Sequence, residues 1–145
     1  MSEQSGAVYF DQVDLGDEIG PLEKKPTLEQ VKAFCRAYGL EEKSRFTDLE
    51  TARSEGVDQM IIPGIMSMAY LSQLITDWAP NITLKKLDII FRAPVKHEEP
   101  IQCAGVVTDK EVRDGENCID VDVYIENSEG RRAVTGQALV VAPSE

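Results

Sequence analysis

The chain has 145 residues, 42% of them hydrophobic, with 26 acidic residues against 15 basic ones and a formal net charge of -11. That length suits one domain with a core of its own, and the charge weighs against unaided binding to nucleic acid or to an anionic membrane. The three cysteines, Cys35, Cys103 and Cys118, are odd in number and lack CxxC spacing, which argues against a disulfide scaffold or a structural zinc site.

Residues 1–8 read as a disordered lead, and a single domain is expected over 9–143. Residues 1–20 contain no apolar run after a basic start, so a secretory signal is not expected and a cytoplasmic protein fits. Gly16-Asp17 reads as a tight turn. Pro21 to Pro26 reads as extended chain, its Lys and Pro content suiting an edge strand better than a central one. Thr27 then opens a helix over about 28–38. Gln30, three residues on, completes a capping box; Leu28, Val31, Phe34, Cys35 and Tyr38 form one apolar face, and Gly39 ends the run. Glu41 to Thr47 is polar and irregular. Asp48 to Glu55 reads as a short helix capped by Asp48 or Thr47 and closed by Gly56.

Met60 to Trp78 is the most apolar long stretch. It opens with the breaker pair Pro63-Gly64, and from Ile65 onward no charge appears until Asp77. Apolar residues recur at spacings of three and four, which predicts a helix buried over most of its circumference. Fourteen residues rise about 21 Å, enough for the central helix of a small domain. The stretch is too short, and too polar at Gln73 and Asp77, for a membrane span. Tyr70 and Trp78 read as core or interface aromatics.

After Lys85 the period changes to that of strands. Leu84 to Ala93 partly alternates until Pro94 and the charged run Lys96 to Glu99, which contains His97, the only histidine. Ile101 to Val107 is a second strand that Val112 could extend. Asp114-Gly115 is the strongest turn signal in the chain and predicts a hairpin. Cys118 to Ile125 and Ala133 to Ala142 are the third and fourth strands. All three cysteines fall in these apolar helical and strand patterns and read as small buried hydrophobes. Lys85, Lys86 and Arg92 are the best candidate for a local basic patch, set against the plainer reading of a solvated strand edge. The pattern is α+β: one long central helix against one layer of antiparallel sheet. Cys, His, Asp and Glu never cluster at metal-ligand spacing, and no Gly-rich phosphate loop is present, so neither metal nor cofactor is expected.

The order of these parts resembles the MaoC-like hydratases of the hot-dog fold. Val13-x-Leu-Gly16-Asp17 is similar to that family's opening segment, and Thr27 to Phe34 to its first helix. Ala52 to Gly56 resembles the segment after its catalytic loop, Ile62-Pro63-Gly64-Ile65-Met66-Ser67-Met68 the start of its central helix, and Phe91-Arg-Ala-Pro94-Val95 its first long strand and exit. The resemblance spans nearly all of residues 9–142 and implies a curved antiparallel sheet wrapped on the central helix. It also implies an acyl thioester of coenzyme A or of acyl carrier protein as substrate or ligand. The implied assembly is a homodimer, or a heterodimer with a catalytically intact hot-dog subunit.

The family's catalytic loop carries an Asp, a His five residues later and commonly a further Asp two beyond that. Aligned on Asp48, this register puts Glu41 at the first Asp and Phe46 at the His. Hydration of an enoyl thioester needs a group that takes a proton from water, which imidazole does near neutral pH and phenylalanine cannot. The resemblance leaves Glu41 and Asp48 as candidate catalytic carboxylates. It gives the Gly64 amide, with Ile65, as the thioester-binding end of the central helix, and Met60, Met66 and Met68 as candidate acyl-pocket residues, against the plainer reading of core. Three functions stay open. The first is the non-catalytic partner in a heteromeric enoyl-CoA hydratase, the second an acyl-CoA thioesterase using a carboxylate, and the third a thioester-binding or structural protein without catalysis.

Overall fold

A computed structural model describes residues 6–145 of the chain. The lead expected over 1–8 therefore lies partly outside the described residues. Its last residue, Val8, is held: its N–H donates to Asn81 Oδ1 at 2.9 Å, and Asn81 Nδ2 donates to the Val8 carbonyl at 2.8 Å.

After a short 3-10 turn at Phe10–Gln12 come β1 (Glu18–Lys24), α1 (Leu28–Tyr38), α2 (Leu49–Ser54) and α3 (Gly64–Trp78). Four strands follow: β2 (Thr83–Phe91), β3 (Ile101–Arg113), β4 (Glu116–Glu126) and β5 (Arg132–Val141). The five strands form one antiparallel sheet in the order β1-β3-β4-β5-β2. The first edge strand begins three residues before the expected Pro21, at Glu18, and pairs with β3 across a bulge between Ile19 and Leu22. The Asp114-Gly115 hairpin forms as expected, with Asp114 at φ 51 and Gly115 at φ 80, and β3 runs on to Arg113.

Local chemistry sets the helix ends. Thr27 and Gln30 form the full capping box, and Gly39 takes the left-handed conformation (φ 85) that ends α1. Asp48 caps α2 through the Thr51 N–H. Pro63 precedes α3 without a side-chain cap, so the helix start keeps free donors.

α3 lies on the inner face of the sheet and buries Met66, Ser67, Tyr70, Leu71, Leu74 and Ile75. Opposite them the strands present Ile101, Cys103 and Val107 from β3, Ile119, Val121, Val123 and Ile125 from β4, and Val134, Ala138 and Val140 from β5. The two-residue period explains the choice: alternate residues of each strand face the helix and the others face out. All three cysteines are buried free thiols, and burial pushes the Cys103 thiol up to about 12. Of the candidate basic patch, Lys85 pairs with Glu116 at 3.4 Å and Lys86 with Asp88 at 3.3 Å, while Arg92 Nε donates to Thr135 Oγ1. Among the described residues no helix is long and apolar enough to cross a membrane.

Candidate functional site

One cavity opens at the N-terminal end of α3, with a volume of about 470 Å³. Its walls come from four separate stretches: Arg45 and Phe46 in the loop before α2; Ile61 and Ile62 with Gly64 and Ser67 at the start of α3; Phe91 at the end of β2 with the Arg92 to Val95 segment that follows; and Val134 of β5. Short cross-ties fix them together. The Ile61 N–H donates to the Arg45 carbonyl at 3.3 Å, the Ile62 N–H to the Val95 carbonyl at 2.8 Å, and the His97 N–H to the Met60 carbonyl at 3.1 Å. Ile61 and Lys96 form an antiparallel bridge, closed on the outside by a Lys96–Asp58 ion pair at 3.0 Å.

The floor is the helix start. Met66 and Ser67 N–H both turn back to the Pro63 carbonyl, at 2.9 and 3.4 Å, while the N–H groups of Gly64 and Ile65 have no partner among the described residues. A helix N-terminus carries positive potential, and free N–H groups there polarise an electron-rich oxygen. Gly64 leaves room for the Phe91 ring, which packs directly over it. Both arginines at the walls are engaged. Arg45 reaches Glu55 at 3.2 Å and lies over the Phe46 ring at 4.7 Å from its centroid, and Arg92 Nε donates to Thr135 Oγ1 at 2.9 Å.

Phe46, the residue that the resemblance set against the histidine, is a wall of this cavity, together with Gly64. The two candidate carboxylates are elsewhere. Glu41 and Asp48 line a different cavity of about 410 Å³, with Lys32, Cys35, Arg36 and Lys43 among its other walls. Glu41 is exposed. Asp48 Oδ2 accepts from the Thr51 hydroxyl at 2.6 Å and the Thr51 N–H at 3.0 Å, and these bonds, the hydroxyl's first, hold its carboxyl below the usual range. Asp48 is thus committed to capping α2. Met66 packs into the core and Met60 and Met68 are half-buried; none of them, nor Ile65, borders the Gly64 cavity. The helical period explains this for Ile65 and Met66, which are turned away from the face that 64 and 67 share.

His97 falls in the charged run Lys96 to Glu99, yet it is only 1% exposed. Burial lowers its pKa, and the nearby carbonyls of Ile61 and Phe46 and the charge of Glu98 only partly offset this. Neither carbonyl meets hydrogen-bond geometry, so both ring nitrogens are unpartnered among the described residues. The ring sits near the backbone of Phe46 and Ile61 and is not itself a lining residue of the cavity. No residue pattern in the sequence marks this burial; it follows from the pairing of 95–97 with 60–62.

No protein-family model matches the sequence, and no curated protein matches it. Solved structures match closely in shape. The R-hydratase PhaJ1 from Pseudomonas aeruginosa superposes with a TM-score of 0.85 at 19% identity, covering 96% of this chain and 88% of its own. A MaoC-like dehydratase from Rhodospirillum rubrum gives 0.84 at 14% identity, covering 96% and 99%. A chain of the ChsH1-ChsH2 complex from Mycobacterium tuberculosis gives 0.77 at 19% identity, covering 89% and 98%. At these identities the likeness fixes the fold. The chain is a hot-dog protein with the architecture of the R-specific hydratases and MaoC-like dehydratases.

Proposed function

We propose that this chain is a non-catalytic hot-dog subunit that holds an acyl thioester, of coenzyme A or of a carrier protein, and works beside a catalytically complete hot-dog subunit in an enoyl-thioester hydratase. The observation that carries this reading is the lining of the Gly64 cavity. It offers free backbone donors at a helix start and apolar walls, with Phe46 where a proton-transferring side chain would be needed, and among the described residues no carboxylate or imidazole borders it. Such a site can orient and polarise a carbonyl but cannot move a proton from water.

Two further points support a partner. β2 is a sheet edge carrying Ile90 and Phe91, 56% and 57% exposed, and an exposed apolar edge is a surface proteins normally cover. One structure of matching fold is itself a complex of two different chains.

The test is native mass spectrometry of the protein purified from its own cells, with an enoyl-CoA hydration assay of whatever co-purifies. The expected result is a stoichiometric complex with a second hot-dog chain, whose hydration activity disappears when that chain's histidine is replaced. A lone homodimer that hydrolyses acyl-CoA, and stops doing so in Glu41→Gln, would overturn the proposal. A homodimer that binds thioesters and turns nothing over would remove the partner while keeping the site.

A further inference from the structure

Ser67 has no part in the reading above, yet it is the most unusual polar residue of the cavity. It is 2% exposed, sits within the buried first half of α3 and borders the cavity beside Gly64. Buried helical serines usually spend their hydroxyl on a carbonyl of the preceding turn. Ser72 does so in the same helix, donating to the Met68 carbonyl at 3.1 Å. Ser67 does not. Its hydroxyl makes no hydrogen bond among the described residues, and the carbonyl four residues back, Pro63, already accepts two N–H groups. The hydroxyl is not among the sealed-off unpartnered atoms, so it is reachable from the cavity, where its donor is free for a ligand.

Residues 64 and 67 are three apart and lie on one face of α3, so the unpartnered N–H of Gly64 and the hydroxyl of Ser67 border the same space. A carbonyl oxygen has two lone pairs and accepts two such donors at once. We infer that Ser67 is a ligand-binding residue whose hydroxyl donates a second hydrogen bond to the thioester carbonyl oxygen held by the Gly64 N–H. This rests on the reading that a thioester occupies the cavity, and it adds the side chain that tells a carbonyl from a methylene. Arg45 and Arg92 are weaker candidates, because the one is paired with Glu55 and the other anchored on Thr135.

The test compares hexanoyl-CoA with S-hexyl-CoA, in which a methylene replaces the carbonyl, binding to the full chain by calorimetry. Wild-type protein is expected to prefer the thioester. Ser67→Ala should weaken thioester binding on the order of tenfold, the effect of one hydrogen bond, and leave the thioether unchanged. Ser67→Thr, which keeps the hydroxyl, should restore the preference. With a 13C-labelled carbonyl, the bound C=O stretch should move back toward its free frequency in Ser67→Ala. Equal loss for both ligands would make Ser67 a packing residue and overturn the inference. Undiminished preference in Ser67→Ala would overturn it while leaving Gly64 as the binding group. If wild-type protein binds neither compound, or both alike, the thioester reading falls and this inference falls with it.

Discussion

Phe91 lays its ring over Gly64: a Cβ built on Gly64 would come within 2.6 Å of Phe91 Cζ. The two residues belong to different layers, one at the end of an edge strand and the other at the start of the central helix. Gly64→Ala should therefore push the ring aside rather than unfold the chain, since Phe91 is exposed and can swing. Alanine also favours the helix by up to about 1 kcal/mol. The expected outcome is a melting temperature near wild type with weakened thioester binding, checked by calorimetry of both properties.

Gly136 offers the contrary case. It lies in β5 opposite Ile89 of β2, and a Cβ there would collide with the backbone oxygen of Asp88. Backbone cannot swing away as an exposed ring can. Gly136→Ala should cost about 1–3 kcal/mol, the usual range for overpacking, read as a lower urea midpoint with an unchanged slope.

His97 predicts a pH dependence of stability. In the unfolded chain the ring takes up a proton near its ordinary value of about 6.5. In the folded chain it does so at lower pH, chiefly because it is buried. The unfolded state thus binds more protons across that window. Stability is full above about pH 6.5, falls as the pH drops through it, and stops falling on this account below the folded value. Urea unfolding from about pH 7.5 to about pH 5 should show this decline in wild type and a flatter limb in His97→Gln.

The separation of Phe46 from Glu41 predicts a failed rescue. Phe46→His would place an imidazole at the Gly64 cavity, but the carboxylate five residues earlier faces a different cavity. The variant should bind thioesters and still show no enoyl-CoA hydration above background in an absorbance assay of the enoyl thioester, at roughly the sensitivity that detects a hundredfold-crippled hydratase. Measurable hydration would mean that the loop before α2 can bring Glu41 round to the site.

The helices were the most legible part of the sequence because local chemistry dictates them. Thr27 with Gln30, Gly39, Asp48 and the breaker pair Pro63-Gly64 each mark a terminus that the structure places within a residue of expectation. The Asp114-Gly115 hairpin was legible for the same reason. The start of β1 was not, since Glu18 to Gly20 has no alternating pattern and is strand only because β3 pairs with it. Gly64 and Phe46 were singled out separately by the resemblance, and the structure sets both on one cavity. His97 and Ser67 were not legible: a histidine in a charged run and a serine in a helix look ordinary until tertiary packing buries them.

β2 has one neighbour in the sheet, β5, and the two are separated in the chain by the whole of β3 and β4. The Gly64 cavity takes Phe91 from the end of β2 and Val134 from β5. Until β5 docks, β2 has nothing to pair with and the roof over the helix start is missing. Closing such distant contacts is slow compared with forming a helix or a hairpin. The cavity therefore depends on a long-range pairing, and a ligand bound there reports on a finished sheet. A chain cut before Val134 would keep the sequence of α3 and lose the place where its free amides can be used.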